Sequence, residues 1–425
     1  MQDRTIQPRI KDAVEFDIKL RPYQYFELKN GIPVYYLNAG SEEVMMVEAV
    51  FYAGNDFENQ HQVASATNYL LKNGTTNKTA FQLNEHFDYY GAYLNRSCHN
   101  ETASITLHCL TKYLGELLPV MHELINESVF PETELEIYKQ NSKQQLTVNL
   151  KKCDFVANRL IDSYLFGNDH PYGRYNTAEG YDNLTRDVLV KYFEEYYKNG
   201  NCIIFAAGVL PEDFELQLNN TFGQMTFNPK KGLIEHVVVP AVEKNYRVIN
   251  DPEGVQGAIR VARPFPNRHH PDYKSAIVLN TILGGFFGSR LMDNIREDKG
   301  YTYGIHSFIP NHIQQTSWVI STEAGKDVCE ATLIEIYKEI EILKNEPIEE
   351  DELLLVKNYM IGSCLGDIDG PFHIINRWKN LILHGLDENY FNDSINSIKN
   401  ITSKELNALA NKYLNKNDFY ELIVF

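Results

Sequence analysis

A chain of 425 residues is long enough for two or three domains of about 150 residues each, and an apolar fraction of 43% is ordinary for globular chains. Its 57 acidic against 40 basic side chains leave a net charge of -17, which argues against a nucleic-acid surface or an anionic membrane as partner. No apolar run approaches the about 20 residues needed to span a bilayer.

The opening "MQDRTIQPRI" lacks the hydrophobic core of a signal peptide. The expected compartment is cytoplasmic as written, or periplasmic if Met1 replaces a cleaved signal. "YQYFELKNGIPVYYL" then reads as a strand pair turning at Asn30-Gly31, and "VMMVEAVFYAG" as a further strand. "VASATNYLLKNGT", from Val63 to Thr75, reads as a helix running into a turn. Ser65, Asn68 and Tyr69 fall on one face of it at i, i+3 and i+4, the spacing with which a zinc peptidase aims two histidines and a glutamate at one metal. None of those residue types is present. A second helix follows, then the strand "SITLHCL", two long helices and the closing strand "CIIFAAG".

The second half repeats this course. "TNYLLKNG" from Thr67 is answered by "LNTILGG", and "FPETELEIYKQ" by "EPIEEDELLLVKN". "LTRDVLVKYFEEYYKNGN" from Leu184 is answered by "ITSKELNALANKYLNKND" from Ile401, with Thr185 over Thr402. Three weak matches in one order point to a duplicated domain. The expected fold is α+β: two homologous α/β sandwich domains, each a mostly antiparallel sheet flanked by helices. The expected division is 15–226, a linker over 227–245 in "FNPKKGLIEHVVVPAVEKN", and 246–425.

"LGGFFGSRLMDNIREDKGYTYGIHS" places a Gly-rich turn at Gly284, Gly285 and Gly288 before a helix, with "YTYGIHSF" as a strand beyond Gly300. Arg296 and Tyr303 could converge across that turn, where guanidinium and phenol are both donors able to hold a peptide carbonyl or an oxyanion. The structural alternative is an arginine on a solvated helix face and a tyrosine filling a core. The six cysteines form no CxxC pair and read as isolated buried thiols. No function is assigned to the sequons at Asn73 and Asn126, which an Asn-rich chain produces by chance. "VMHELIN" from Val120 misses a His-Glu-x-x-His motif by one residue, with Asn126 in the last place. His269, His270, His306 and His312 lack helical ligand spacing and read as structural or surface histidines.

Ser289-Arg290-Leu291, Arg296-Glu297, Gly300 and Tyr303-Gly304 resemble the C-terminal half of the pitrilysin/insulinase/mitochondrial processing peptidase superfamily. "LKNGIPV", "FYAGNDFE", "FPETELE" and "NDHPYGRY" resemble its N-terminal half, so the likeness runs from about Tyr23 to the end. The resemblance implies an inverted zinc motif, His-x-x-Glu-His, before a turn, plus a distant glutamate. Those positions fall here on Ser65, Asn68 and Tyr69, and on Gln145, or Gln144 if the register slips. All are substituted, so no metal or other cofactor is expected in this chain. The Arg/Tyr pair that binds the substrate carbonyl in the family is matched by Arg296 and Tyr303.

The resemblance therefore implies the zinc-lacking subunit of a heterodimeric metallopeptidase. Such a chain would be inactive alone, would hold an unfolded peptide, and would pair with a zinc-bearing homologous subunit. A catalytically inactive peptidase-like structural or binding protein is the alternative, and the absence of a zinc-bearing partner gene would favour it. An autonomous peptidase is a third reading, for which no ligand cluster replaces the lost one.

Overall fold

The computed structural model describes residues 11–229 and 232–425. The opening stretch 1–10, with Met1, and positions 230 and 231 of the expected linker lie outside the described residues. The first sheet contains β1 (Gln24–Glu27), β2 (Pro33–Asn38), β3 (Val44–Phe51), β4 (Tyr93–Cys98), β5 (Ala103–Leu110) and β6 (Cys202–Gly208), ordered β1-β2-β6-β3-β5-β4. The β1–β2 turn uses both expected residues. Asn30 Nδ2 donates to the carbonyls of Phe222 and Met225, each at 2.9 Å, and Gly31 takes a φ of 90°, where a Cβ would be strained.

The second sheet contains β7 (Asn245–Val248), β8 (Gln256–Phe265), β9 (Thr302–Phe308), β10 (Thr316–Gly325) and β11 (Tyr420–Val424), ordered β7-β11-β8-β10-β9. Five strands of each plan correspond, and β1 has no counterpart among the described residues. β2 runs parallel to β6 as β7 does to β11, and β3 lies antiparallel between β6 and β5 as β8 does between β11 and β10. β4 and β9 are corresponding outer strands, with β1 and β7 at the opposite edges. The expected duplicated α+β architecture is what forms.

The helices of the first half are α1 (Val63–Leu70), α2 (Ala80–Tyr89), α3 (Leu114–Glu127), α4 (Glu132–Asn149), α5 (Cys153–Phe166), α6 (Ala178–Asp182), α7 (Arg186–Phe193) and α8 (Phe214–Asn220). Those of the second are α9 (Tyr273–Asn280), α10 (Cys329–Asn345), α11 (Glu350–Gly366), α12 (Pro371–Leu383), α13 (Glu388–Asn400) and α14 (Ser403–Tyr413). The expectation of two long helices before each closing strand undercounts them, because caps and breaks divide the helical stretches. Pro131 separates α3 from α4, Gly370 at φ 88° precedes α12, and the Asp387 side chain caps α13 by accepting from the Tyr390 N–H. Thr185 and Thr402, paired by the repeat, do the same job: each hydroxyl accepts from a backbone N–H of its helix, on Val188 and Glu405.

The halves exchange helices. Cys153, Ala157, Ile161 and Leu165 of α5 pack against Ala258, Ala262, Leu422 and Val424 of the second sheet. Ile375, Trp378 and Leu381 of α12 pack with Leu37, Met46, Val50 and Phe205 of the first. Each buried aliphatic side chain stabilises by about 1.5–3 kcal/mol, so parting the halves would strip both sheets. The β9–β10 loop adds a polar tie. The Ile313 N–H donates to Glu101 Oε1 at 3.0 Å, Gln314 Nε2 to Asp56 Oδ2 at 2.8 Å, and His312 stacks on Tyr172 at 4.5 Å. Burial, with the Glu101 charge, pushes the Asp56 carboxyl up to about 7. All six cysteines are free thiols, with Cys98 and Cys364 only partly buried. Among the described residues no helix is long and apolar enough to cross a membrane.

Candidate functional site

Helix α1, onto which the resemblance lays the zinc-motif positions, is set by its own N-terminus. Glu58 accepts from the backbone N–H groups of Gln62 and Ala64 at 3.2 and 3.1 Å, meeting the unpaired donors that begin α1. Burial pushes this carboxyl up to about 7. On the motif face, Ser65 Oγ donates to Gln62 O at 3.2 Å. Asn68 is buried, and its Nδ2 donates to Ser104 O at 3.3 Å and to the Tyr197 hydroxyl at 3.1 Å. Tyr69 is half exposed, its ring 4.9 Å from that of Tyr138 on α4. Ser142 and Gln145 follow Tyr138 at helical spacing on one face of α4, which leaves Gln144 off that face. Gln145 is exposed.

These side chains do not fit zinc. Zinc is held by imidazole, thiolate or carboxylate, and Ser65, Asn68, Tyr69 and Gln145 supply none of them. The Asn68 amide is already committed to the sheet and to Tyr197. Arg96 on β4 adds a fixed cation: its Nη1 donates to Tyr69 O, and its Cζ lies 5.1 Å from the Tyr69 ring centre. A divalent cation within about 6 Å of a guanidinium meets about 5 kcal/mol of repulsion at an effective dielectric constant of about 20. The quadruple change Ser65→His, Asn68→Glu, Tyr69→His and Gln145→Glu is therefore expected to leave bound zinc near background by elemental analysis. Adding Arg96→Ala should raise it. One tightly held zinc per chain with Arg96 intact would show that the guanidinium is not the obstacle.

Among the described residues no group of three or more His, Cys, Asp or Glu side chains could hold a metal. In the near-miss segment on α3, His122 and Asn126 hydrogen-bond each other at 3.2 Å. His270 Nδ1 accepts from the Asp272 N–H at 3.1 Å, His269 and His306 are exposed, and His312 belongs to the tie between halves.

The second constellation does converge. Beyond the Gly-rich turn, Arg290 holds Glu352 of α11 by two parallel bonds of 2.8 and 2.7 Å, and Leu291 and Ile295 enter the core. That fixes the helical turn Met292–Asp298 carrying Arg296. Gly300, at φ 66°, then reverses the chain into β9. The Arg296 guanidinium lies between two rings, 4.6 Å from the centre of Phe287 and 5.5 Å from that of Tyr303. Arg296 Nη1 approaches Glu297 Oε1 at 3.1 Å without a hydrogen bond. Tyr303 is 93% exposed on an outer strand, so it fills no core, and Arg296 is not on an open helix face. The pair sets a guanidinium beside a phenol ring, two donor groups of the kind that can hold a carbonyl oxygen.

Residues 183–360 match the family described as "Peptidase M16 inactive domain". A relative from Helicobacter pylori (strain ATCC 700392 / 26695), named "Non-peptidase homolog YmxG", is 22% identical over 400 residues, 92% of this chain and 91% of that one. "Uncharacterized zinc protease YmxG" of Bacillus subtilis (strain 168) is 24% identical over 344 residues, 80% and 83% of the two chains. The crystal structure of a peptidase M16 inactive domain from Pseudomonas fluorescens has the same fold, with a TM-score of 0.84 and 23% identity over 95% of this chain and 98% of that one. The family match covers residues 183–360, and over nearly the whole chain the fold is that of the M16-like structures. The resemblance read from the motifs is therefore correct at the level of family and fold. Within this M16-like chain the sequence reading passed over Arg96 and the Tyr138–Ser142 face. The signal for Arg96 was strand alternation, which places it on the inward face with Leu94 and Cys98.

Proposed function

We propose that this M16-like chain is the zinc-lacking, peptide-holding subunit of a heterodimeric peptidase whose zinc-bearing homologous subunit supplies the metal. The observation that carries the reading is the Arg296 guanidinium set against the exposed ring of Tyr303 on outer strand β9, in a chain whose α1 side chains fit no zinc. The outer edges of β4 and β9 offer unpaired backbone groups to an extended peptide, a mode of binding tolerant of sequence. Arg296 and Tyr303 then donate to the scissile carbonyl oxygen, most strongly when it becomes an oxyanion.

The test is elemental analysis and peptidase assay of the purified chain after zinc exposure and gel filtration, alone and mixed with a zinc-bearing M16-like chain from the same source. Background metal, no hydrolysis alone, and co-elution with hydrolysis in the mixture are expected. About one tightly held zinc per chain, or hydrolysis by the chain alone, would overturn the proposal. No association with a zinc-bearing chain would leave the second reading, an inactive peptidase-like binding or structural protein. The match to an inactive-domain family favours that reading.

A further inference from the structure

Three segments meet where the halves join, and a histidine stands in each. His170 lies with Tyr172 in the first half between α5 and α6, His236 in the linker, and His312 in the β9–β10 loop. The Tyr172 ring lies 4.5 Å from that of His312 and 4.8 Å from that of His170, which is 5.7 Å from His236. Hydrogen bonds hold two of the three neutral. His170 is 4% exposed, and its Nδ1 accepts from the Tyr172 N–H at 3.1 Å. His312 Nδ1 accepts from Asn100 Nδ2 at 3.4 Å, an amide oriented by Asn55 Nδ2, which donates to Asn100 Oδ1 at 3.4 Å. A ring nitrogen that accepts from an N–H carries no proton, and protonating it would set donor against donor. The third, His236, donates from Nε2 to Asp56 O at 3.1 Å. Around these rings, Gln314 Nε2 of the loop donates to Ile234 O of the linker at 2.7 Å, and its N–H to the Tyr172 hydroxyl at 3.3 Å.

The charged neighbours act mostly in one direction. Burial pulls His170 down to about 4, and His236, Arg174 and His312 add to the effect. Burial also lowers His236, with Arg174 adding to it and the bond to Asp56 O opposing it. Burial lowers His312, with His99 adding and Glu101 opposing. His384 at the end of α12, which lines one cavity with His312, is lowered by burial too. Asp56 has the opposite sign: its carboxyl, pushed up to about 7, is protonated below that value in the closed arrangement. A histidine held below its ordinary value favours opening as pH falls from about 6.5, and an aspartate held above its own favours opening as pH rises from about 4 toward 7. Three histidines outnumber one carboxyl, so opening takes up protons on balance. We propose that acid releases the β9–β10 loop and the linker from the first half, with His170, His236 and His312 as the proton-operated part of the clasp and the exchanged helices keeping the halves together. The loop continues β9, the strand that carries Tyr303, so release would reach the far end of that strand. The clasp needs neither zinc nor a partner subunit and stands apart from the peptide-holding reading.

Hydrogen exchange of the full chain, read by mass spectrometry with each rate divided by its intrinsic chemical rate, tests this at about pH 7 and about pH 5. Protection over 309–315 and 232–241 should fall about tenfold at the lower pH, while β10 keeps its protection. His170→Asn combined with His312→Asn puts a carbonyl oxygen where each Nδ1 accepts, and that oxygen takes up no proton. The double variant should stay closed and lose the fall, because His236 then only offsets Asp56. Asp56→Asn removes the opposing group and should deepen the fall about tenfold. A merely structural role would weaken protection equally at both pH values. Unchanged protection in the unaltered chain, or a fall shared by β10, would overturn the proposal, and so would a fall that survives the double variant. If that variant does not fold, histidine titration of the unaltered chain by nuclear magnetic resonance decides. His170 should titrate well below the ordinary value of about 6.5, and an ordinary value would overturn the clasp.

Discussion

Tyr303→Phe, assayed in the complex with a zinc-bearing subunit, is expected to lower kcat by about a hundredfold or more and to change KM and subunit association little. The size follows from the cost of removing one donor to an oxyanion, about 10²–10³ in rate. The split between kcat and KM follows from timing, because a hydroxyl that bonds the oxyanion more strongly than the ground-state carbonyl acts mainly in the transition state. The geometry makes the substitution clean. Tyr303 is 93% exposed, so losing its hydroxyl leaves no buried partner unsatisfied, and the phenylalanine ring can still lie against the Arg296 guanidinium. Arg296→Lys should also impair turnover, since a point charge replaces a planar fork between two rings. Unchanged rates for Tyr303→Phe would remove the phenol from the chemistry. A raised KM with unchanged kcat would make it a ground-state binding group instead.

Much of this arrangement is legible in the sequence because it depends on local chemistry. The turn at Asn30-Gly31, closed locally by the Ile32 N–H donating to Asn30 Oδ1, the caps at Thr185 and Thr402, and the reversal at Gly300 are set by residues within a few positions of one another. Repetition of such signals in one order exposes the duplication. Asn68 and Asn280, aligned by the repeat, both donate from a buried helix to a strand carbonyl, of Ser104 and Ser307. The helix exchange is illegible for the opposite reason. The spacing of Cys153, Ala157, Ile161 and Leu165 announces a buried face on α5, but periodicity cannot say which sheet covers it. The surroundings of α1 were hidden in the same way. Arg96 reaches Tyr69 across 27 positions and Tyr138 reaches it across 69, and neither sits in a motif.

The exchange has a thermodynamic consequence that centres on Arg260. This residue of β8 is 1% exposed and reaches out of the second sheet to α5 of the first half. It donates from Nε to Asn158 Oδ1 at 3.0 Å and from Nη1 to Ile259 O at 2.9 Å, and its Nη2 pairs with Asp154. Burial pushes nearby Asp162 up to about 7, with the Arg260 charge acting in the opposite direction. Arg260→Ala should cost about 3 kcal/mol, because it empties a packed volume and strands the acceptors of Asn158 and Ile259. Asp154→Asn should cost less than about 1 kcal/mol: its side chain is 43% exposed, so water can replace most of the ion pair. Urea unfolding checks the ranking through midpoints at a common slope. Equal losses would mean that the ion pair, rather than the buried stem and its hydrogen bonds, is what Arg260 contributes. Both variants should still unfold in one transition. The two tryptophans, Trp318 and Trp378, lie in the second half, yet Trp378 packs on the first sheet. Their fluorescence should therefore change together with the far-ultraviolet circular dichroism of the whole chain. Separate midpoints would mean that the halves unfold independently despite their shared helices.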